Sequence, residues 1–206
     1  TQVFAPFSDM RVAWGTISVV DPIYTLPFLI CLLVAARFSR EDSRRRWWNG
    51  AGIALSSLYL ALTVANHARV ESTLEQALED QRINYASLFI TPTIFNNVLW
   101  NAVADSGDDF LLAQYSIYDE VAPSFHAVPK GYDLLHNLDT DETLAVLRWF
   151  SAGYFNAVRR DDGQLQLNDL RFGTFSGKAT HPDDYIFRFN LEDRGPDAPY
   201  GFDQAQ

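Results

Sequence analysis

Four histidines are the residues of this sequence best suited to metal or acid–base chemistry. Imidazole nitrogens bind zinc and exchange protons near neutral pH. Local zinc motifs place two ligands three or four residues apart, and no two of these histidines have that spacing. The sequence therefore contains no local zinc motif. The four residues are His67, His126, His136 and His181.

One loop could still assemble a composite metal site. His126 and His136 flank a segment rich in Asp and Tyr, so both imidazoles could bind a divalent cation together with one carboxylate. The alternative is that they are ordinary loop residues. The carboxylates that could complete such a site belong to Asp119, Glu120 and Asp133.

Asp21 is the one charged residue in an apolar block that runs from Val12 to Ala36. A carboxyl group in or near a bilayer is costly and often marks a functional interior, which makes Asp21 a candidate metal ligand. Alternatively, Asp21 lies at the interface and caps a helix that begins at Pro22. Asp9 is a further polar candidate, which we expect in a loop or cap.

Asp169 and Arg171 alternate along a predicted strand and would share one face of a sheet. They could form a polar functional spot or a solvated cross-strand pair. The sequence has no glycine-rich phosphate loop, no nucleophile elbow and no Cys/His pair, so the catalytic residues stay unassigned. Its single cysteine, Cys31, excludes an intrachain disulfide.

Two apolar blocks predict a transmembrane helical hairpin over residues 1–66. They run from Val12 to Ala36 and from Trp47 to Asn66, and each provides the about 20 residues that a spanning helix needs. The arginine-rich loop between them is expected in the cytoplasm by the positive-inside rule. A hairpin buried in a soluble protein is the alternative. The loop arginines are Arg37, Arg40, Arg44, Arg45 and Arg46.

Residues 67–206 predict an extracytoplasmic α+β domain of about five antiparallel strands with one or two helices. A helical stretch with an apolar stripe continues the second block to about Arg82. Turn residues around Gly107 and Gly163 predict two β-hairpins, and Asp139-Thr140 predicts the start of a short helix. A last strand would place Tyr185, Phe187 and Phe189 on one face, and the C-terminal tail is expected to be a loose end.

The formal net charge of −10 excludes a nucleic-acid partner, because phosphate binding needs a basic surface. The partner that the sequence predicts is the lipid bilayer. A protein partner and the oligomeric state are left open. No cofactor site is evident within this chain.

Several short segments, taken in order, resemble one known family. They are TQVFAPFSDMR, ISVVDP, TPTIFNNVLW, LNDLRFG and YIFRFNL. The family is that of the membrane-bound metal-dependent hydrolases, bacterial inner-membrane proteins of the LexA-regulated type. The resemblance implies a multi-pass inner-membrane protein of which this chain is the C-terminal portion. It also implies that a divalent metal such as zinc is held upstream by a His-Arg-Gly-x-Thr-His-Ser stretch and an Asp-containing helix, and this chain lacks both.

Two functions follow as expectations. By resemblance, the chain is part of a metal-dependent hydrolase, in which it would shape substrate access without being catalytic alone. From the visible residues, it is a non-catalytic extracytoplasmic module, anchored by a helical hairpin, that binds a partner or ligand. A metal assay separates these readings, since only the first requires stoichiometric metal in the intact protein.

Overall fold

The computed structural model describes residues 7, 14–175, 177–195 and 198–202, and within them the chain is α+β, as predicted. Asp9 lies outside the described residues. The chain divides into two compact units. Of the described residues, the first unit contains those up to Arg69 together with Ile94–Asn97, and the second contains Val70–Thr93 and those from Val98 onward.

Two helices dominate the first unit and pack as an antiparallel hairpin. Helix α1 spans Pro22–Ala36 and helix α2 spans Ser43–Asp80. A methyl group at Gly52 would lie 3.0 Å from the Cβ of Cys31, so this glycine allows the close approach of the two helices. At the loop end, Arg45 donates a hydrogen bond of 3.2 Å to the carbonyl of Phe38.

The apolar block from Val12 to Ala36 does not form one helix of spanning length. Residues 14–20 are not helical, and α1 has 15 residues, which corresponds to about 22 Å. Helix α2, with 38 residues, is the one helix among the described residues that is long and apolar enough to cross a membrane. It also continues through the predicted boundary at Asn66–His67.

The second unit begins with a four-stranded antiparallel sheet in the order β1-β2-β3-β4. The C-terminal part of α2 covers it through Val70 and Leu74, which pack with Trp100 and Tyr115. The predicted hairpin around Gly107 is confirmed, because it joins β2 to β3. The strands are β1 Ser87–Pro92, β2 Leu99–Asp105, β3 Asp109–Ser116 and β4 His126–Pro129.

A second four-stranded antiparallel sheet follows in the order β5-β6-β7-β8. Helix α3, Glu142–Phe150, packs on one face through Leu144 and Leu147. Its N-cap is Asp141, two positions after the predicted start, and the Asp141 carboxylate accepts a hydrogen bond from the Leu144 amide. The strands are β5 Phe155–Arg159, β6 Leu165–Asp169, β7 Arg188–Glu192 and β8 Gly201–Phe202.

Three sequence expectations for this unit were wrong. The described residues form eight strands in two sheets, whereas about five had been expected, because short pairings such as β4 and β8 carry little pattern. Tyr185 and Phe189 do not share a face, since Tyr185 packs with Val103 and Phe110 whereas Phe189 packs against the core under α3. The described tail residues 198–202 are not a loose end, because Tyr200 is only 2% exposed and Gly201–Phe202 form β8.

Candidate functional site

Asp21 caps helix α1. Its backbone is extended, and its Oδ1 accepts hydrogen bonds from the amides of Ile23 and Tyr24 at 2.9 and 3.1 Å. Pro22 follows at the first helical position, where the missing N–H costs nothing. Of the two interpretations of Asp21, the geometry is therefore that of the cap.

The second oxygen of the same carboxylate reaches α2. The Tyr59 hydroxyl donates a hydrogen bond of 2.7 Å to Asp21 Oδ2, and the rings of Tyr59 and Tyr24 lie 6.4 Å apart. Both oxygens of Asp21 are thus occupied, and the residue is 4% exposed. The carboxylate joins the two helices of the hairpin.

An amide cluster lies on the same unit. Asn66 Nδ2 on α2 donates to Asn97 Oδ1 at 2.8 Å, and Asn97 Nδ2 donates to the Thr16 carbonyl at 3.0 Å. The backbone amide of Phe95 donates to the Val20 carbonyl at 3.1 Å. These bonds bring together the segments ISVVDP and TPTIFNN, which are about 75 residues apart in sequence.

Asp169 and Arg171 form a buried pair within one turn. Strand β6 ends at Asp169, which caps the 3-10 turn Leu170–Phe172, so the two residues do not alternate along a strand. Arg171 Nε and Nη2 donate to the two Asp169 oxygens at 2.9 and 2.6 Å. Asp169 is 0% exposed, and the interpretation as a solvated cross-strand pair is therefore wrong.

Arg171 also connects this pair to α3. Its Nη2 donates to the Phe150 carbonyl at 2.6 Å at the end of that helix. Its guanidinium lies 5.7 Å from the Phe150 ring and 6.0 Å from the Phe172 ring, within cation–π range. All of these hydrogen bonds are made within the protein. The Asp169–Arg171 pair therefore connects the end of β6 to the end of α3.

A chain of buried amides links strands β6 and β5 of the second sheet, and no pattern in the sequence predicted it. Gln166, Asn168 and Asn156 are each 0% exposed. Gln166 donates to Asn168 at 2.5 Å, Asn168 to Asn156 at 3.0 Å, and Asn156 to the Tyr185 hydroxyl at 3.0 Å. Arg160 donates to Gln166 Oε1 at 2.7 Å from the surface end. Burial raises the pKa of Tyr185, although its bond with Asn156 opposes that shift.

His136 lies against the C-terminal tail. Its Nδ1 is 2.8 Å from the Tyr200 hydroxyl, its backbone amide donates to the same oxygen at 3.1 Å, and the two rings stack at 4.4 Å. Its Nε2 is 3.8 Å from Asp193. Burial is the main cause of the raised pKa of Tyr200. His136 therefore helps to hold the tail.

The composite metal site is not assembled. His126 is exposed at the start of β4, Asp133 and Glu120 are exposed, and Asp119 accepts a hydrogen bond from the Ser116 amide. Throughout the described part of the chain, no group of three or more His, Cys, Asp or Glu side chains could hold a metal ion. The resemblance implies a metal held by a stretch that this chain lacks, and no hydrolytic step is derived from the described residues.

No family model, no curated protein and no solved structure matches this chain. The resemblance to the hydrolase family is therefore a prediction that these comparisons leave untested. Of the sites described above, the group around Asp21 and the amide cluster of Asn66 and Asn97 lie on the unit that contains the apolar hairpin.

Proposed function

We propose that this chain is a membrane-anchored module, with the α1–α2 hairpin in the bilayer and the sheet-bearing unit outside it. The observation that carries the proposal is the large apolar surface that the hairpin leaves uncovered. Water-soluble monomers rarely expose apolar patches of this extent. The side chains at least 39% exposed on the two helices include Ile23, Leu26, Phe28, Leu29, Ile30, Leu32, Leu33, Ile53, Leu55, Leu58, Leu62 and Val64.

The burial of α2 favours lipid over a protein core as the environment of the hairpin. Only 11% of its most apolar 18-residue window is buried, whereas the core helix of a soluble protein is mostly buried. Helix α1 has no charged residue from Pro22 to Ala36, and both carboxylate oxygens of its cap Asp21 accept hydrogen bonds. Hydrogen bonds to both oxygens lower the cost of placing this carboxylate near a membrane.

The arginines give the proposed orientation. Five of them lie in the connection between the helices and at the start of α2, where the positive-inside rule keeps them in the cytoplasm. Helix α2, the helix of spanning length, would then carry the chain to the outer side, and the acidic second unit would be extracytoplasmic. A location in the bacterial inner membrane is proposed from the family resemblance alone.

Cysteine labelling tests this topology sharply, because Cys31 is the single cysteine of the chain. In a Cys31→Ala background, Ser39→Cys marks the arginine loop and Ser124→Cys marks the second unit; both positions are exposed. In intact spheroplasts, a membrane-impermeant maleimide should label position 124 and not position 39. Permeabilised cells should show labelling at both positions.

Two results would contradict the proposal. Labelling of position 39 but not position 124 in intact spheroplasts would reverse the orientation. Recovery of the full chain in the aqueous fraction after detergent phase separation would exclude the anchor itself. The unlabelled Cys31→Ala chain serves as the background control in both experiments.

The role we propose for the second unit is non-catalytic binding. Its buried polar groups, including the Asp169–Arg171 pair and the amide chain, are engaged with one another, as in a structural scaffold. The hydrolase function stays a proposal, supported by the resemblance alone. Zinc analysis of the purified chain is the test, and metal bound through His126 or His136 would overturn the non-catalytic assignment.

A further inference from the structure

A turn at Ile94–Phe95 presents apolar side chains where a polar turn would be expected. Phe95 is 59% exposed and Ile94 is 39% exposed. Phe95 has a φ of 71°, a left-handed conformation that bulky side chains rarely adopt. Gly or Asn would fit this backbone without strain. The conformation of the turn therefore does not explain why an exposed phenylalanine occupies this position.

The turn is fixed against the segment that leads into α1. The Phe95 amide donates to the Val20 carbonyl at 3.1 Å, and Asn97 bonds Thr16 on one side and Asn66 on the other. The partner segment is also apolar and uncovered, since Val19 is 86% exposed and Val20 is 52% exposed. We call these four exposed residues the apolar tip: Val19, Val20, Ile94 and Phe95.

The apolar tip continues the uncovered surface of the hairpin. Val20 is followed by the cap residue Asp21 and then by Ile23, which is 54% exposed on the first turn of α1. The two sequence segments that contribute to the tip contain no charged residue. They run from Val12 to Val20 and from Asn84 to Ala104. An uncharged, apolar and aromatic surface at the end of a lipid-facing helix has the chemistry of a membrane–water interface.

We propose that the apolar tip inserts into the phospholipid interface on the side of the membrane away from the arginine loop. This rests on the proposed membrane anchor and adds a second, non-helical point of lipid contact. The occupant is the bilayer itself, because the tip adjoins the exposed face of α1. The strained backbone of Phe95 then serves to direct its ring into lipid.

Fluorescence of three single-cysteine variants tests the insertion. In the Cys31→Ala chain, Phe95→Cys marks the tip, Leu29→Cys marks α1, and Tyr118→Cys marks an aromatic position of the second unit that is 77% exposed. Each full chain is labelled with an environment-sensitive dye and reconstituted into phosphatidylcholine–phosphatidylglycerol vesicles. Doxyl-labelled lipids then report whether the dye contacts the bilayer.

We expect a blue-shifted dye at position 95, quenched several-fold more strongly than at position 118, and most strongly by lipids with the doxyl group near the headgroup. Position 29 should be quenched best by deeper doxyl groups. If position 95 behaves like position 118 while position 29 is quenched, the tip inference is wrong and the anchor stands. An unquenched position 29 overturns the anchor as well.

Ile94→Cys gives a second labelling position if Phe95→Cys folds poorly. Ile94 belongs to the same turn and lacks the positive φ of its neighbour, so a cysteine there adds no backbone strain. Quenching at position 94 supports the proposal in the same way. A dye at position 94 that stays water-exposed in vesicles, next to a quenched position 29, contradicts it.

Discussion

The Tyr59 hydroxyl donates a hydrogen bond of 2.7 Å to Asp21 Oδ2, which joins the start of α1 to the middle of α2. The same carboxylate caps α1 through its other oxygen. One side chain thus sets both the first residue of the short helix and its pairing with the long helix.

Replacing Asp21 should separate its two roles. Asp21→Asn keeps an acceptor for the helix cap, whereas Asp21→Ala removes it and should cost about 1 kcal/mol more. Tyr59→Phe leaves the cap and removes only the interhelical bond, with an expected loss of about 1–2 kcal/mol. Reversible unfolding of the full chain in detergent micelles measures each free energy. Equal stability of all three variants and the wild type would contradict the pairing.

Breaking the Asp169–Arg171 pair should be far more damaging. Asp169→Asn leaves the largely buried guanidinium without its carboxylate, and we expect a loss of about 3–5 kcal/mol in the free energy of unfolding. Arg171→Lys should also destabilise, since an ammonium group cannot make the two-point contact. Glu192→Gln is the matched control, because its ion pair with Arg194 is exposed and should change stability by less than about 1 kcal/mol.

The tail should contribute to the stability of the second sheet. Tyr200 packs in the core under α3, and its backbone amide donates to Asp141, the N-cap of that helix, at 2.9 Å. Tyr200→Ala should cost about 3–5 kcal/mol and increase amide hydrogen exchange in α3. The same substitution at the exposed Tyr118 should have little effect. A tail that can be mutated at Tyr200 without loss would restore the loose-end interpretation.

Acid should weaken the ion pair between Asp105 and Lys130, in which Lys130 Nζ lies 2.7 Å from Asp105 Oδ1. Burial raises the pKa of Asp105, but the hydrogen bonds from Lys130 and the Gly107 amide outweigh it, and the net shift is downward. A folded-state pKa below the unfolded value means that the stabilisation is present above about pH 3.9 and is lost as the pH falls through the lower folded value. Burial also raises the pKa of the neighbouring Tyr132 to about 12.

Asp105→Asn is therefore expected to be less stable than the wild type at neutral pH, with a difference that shrinks below about pH 4. Thermal unfolding followed across this pH range measures the effect. Asp108→Asn removes an exposed carboxylate from the same turn and serves as the control. A stability difference for Asp105→Asn that does not depend on pH would argue against the ion pair.

Local rules were enough to predict several elements from the sequence. Asp-Pro at 21–22 predicts the start of α1, and the turns at Gly107 and Gly163 predict two hairpins, because caps and tight turns depend on neighbouring residues. The stripe of Val70, Leu74, Ala77 and Leu78 likewise predicts the buried face of the extension of α2, and all four residues are at most 4% exposed. The bilayer as partner stays a prediction.

Contacts between distant segments were decided only by the tertiary structure. Nothing local pairs Asp21 with Tyr59, Asn97 with Thr16, or His136 with Tyr200, which are 38, 81 and 64 residues apart. A side chain's period along the chain tells which face it lies on, but not which element covers that face. The sequence by itself determined the apolar hairpin and the α+β class, because both depend on composition and on the period along the chain. The partner of each polar group and the buried position of the tail depended on how the two sheets and the helices pack.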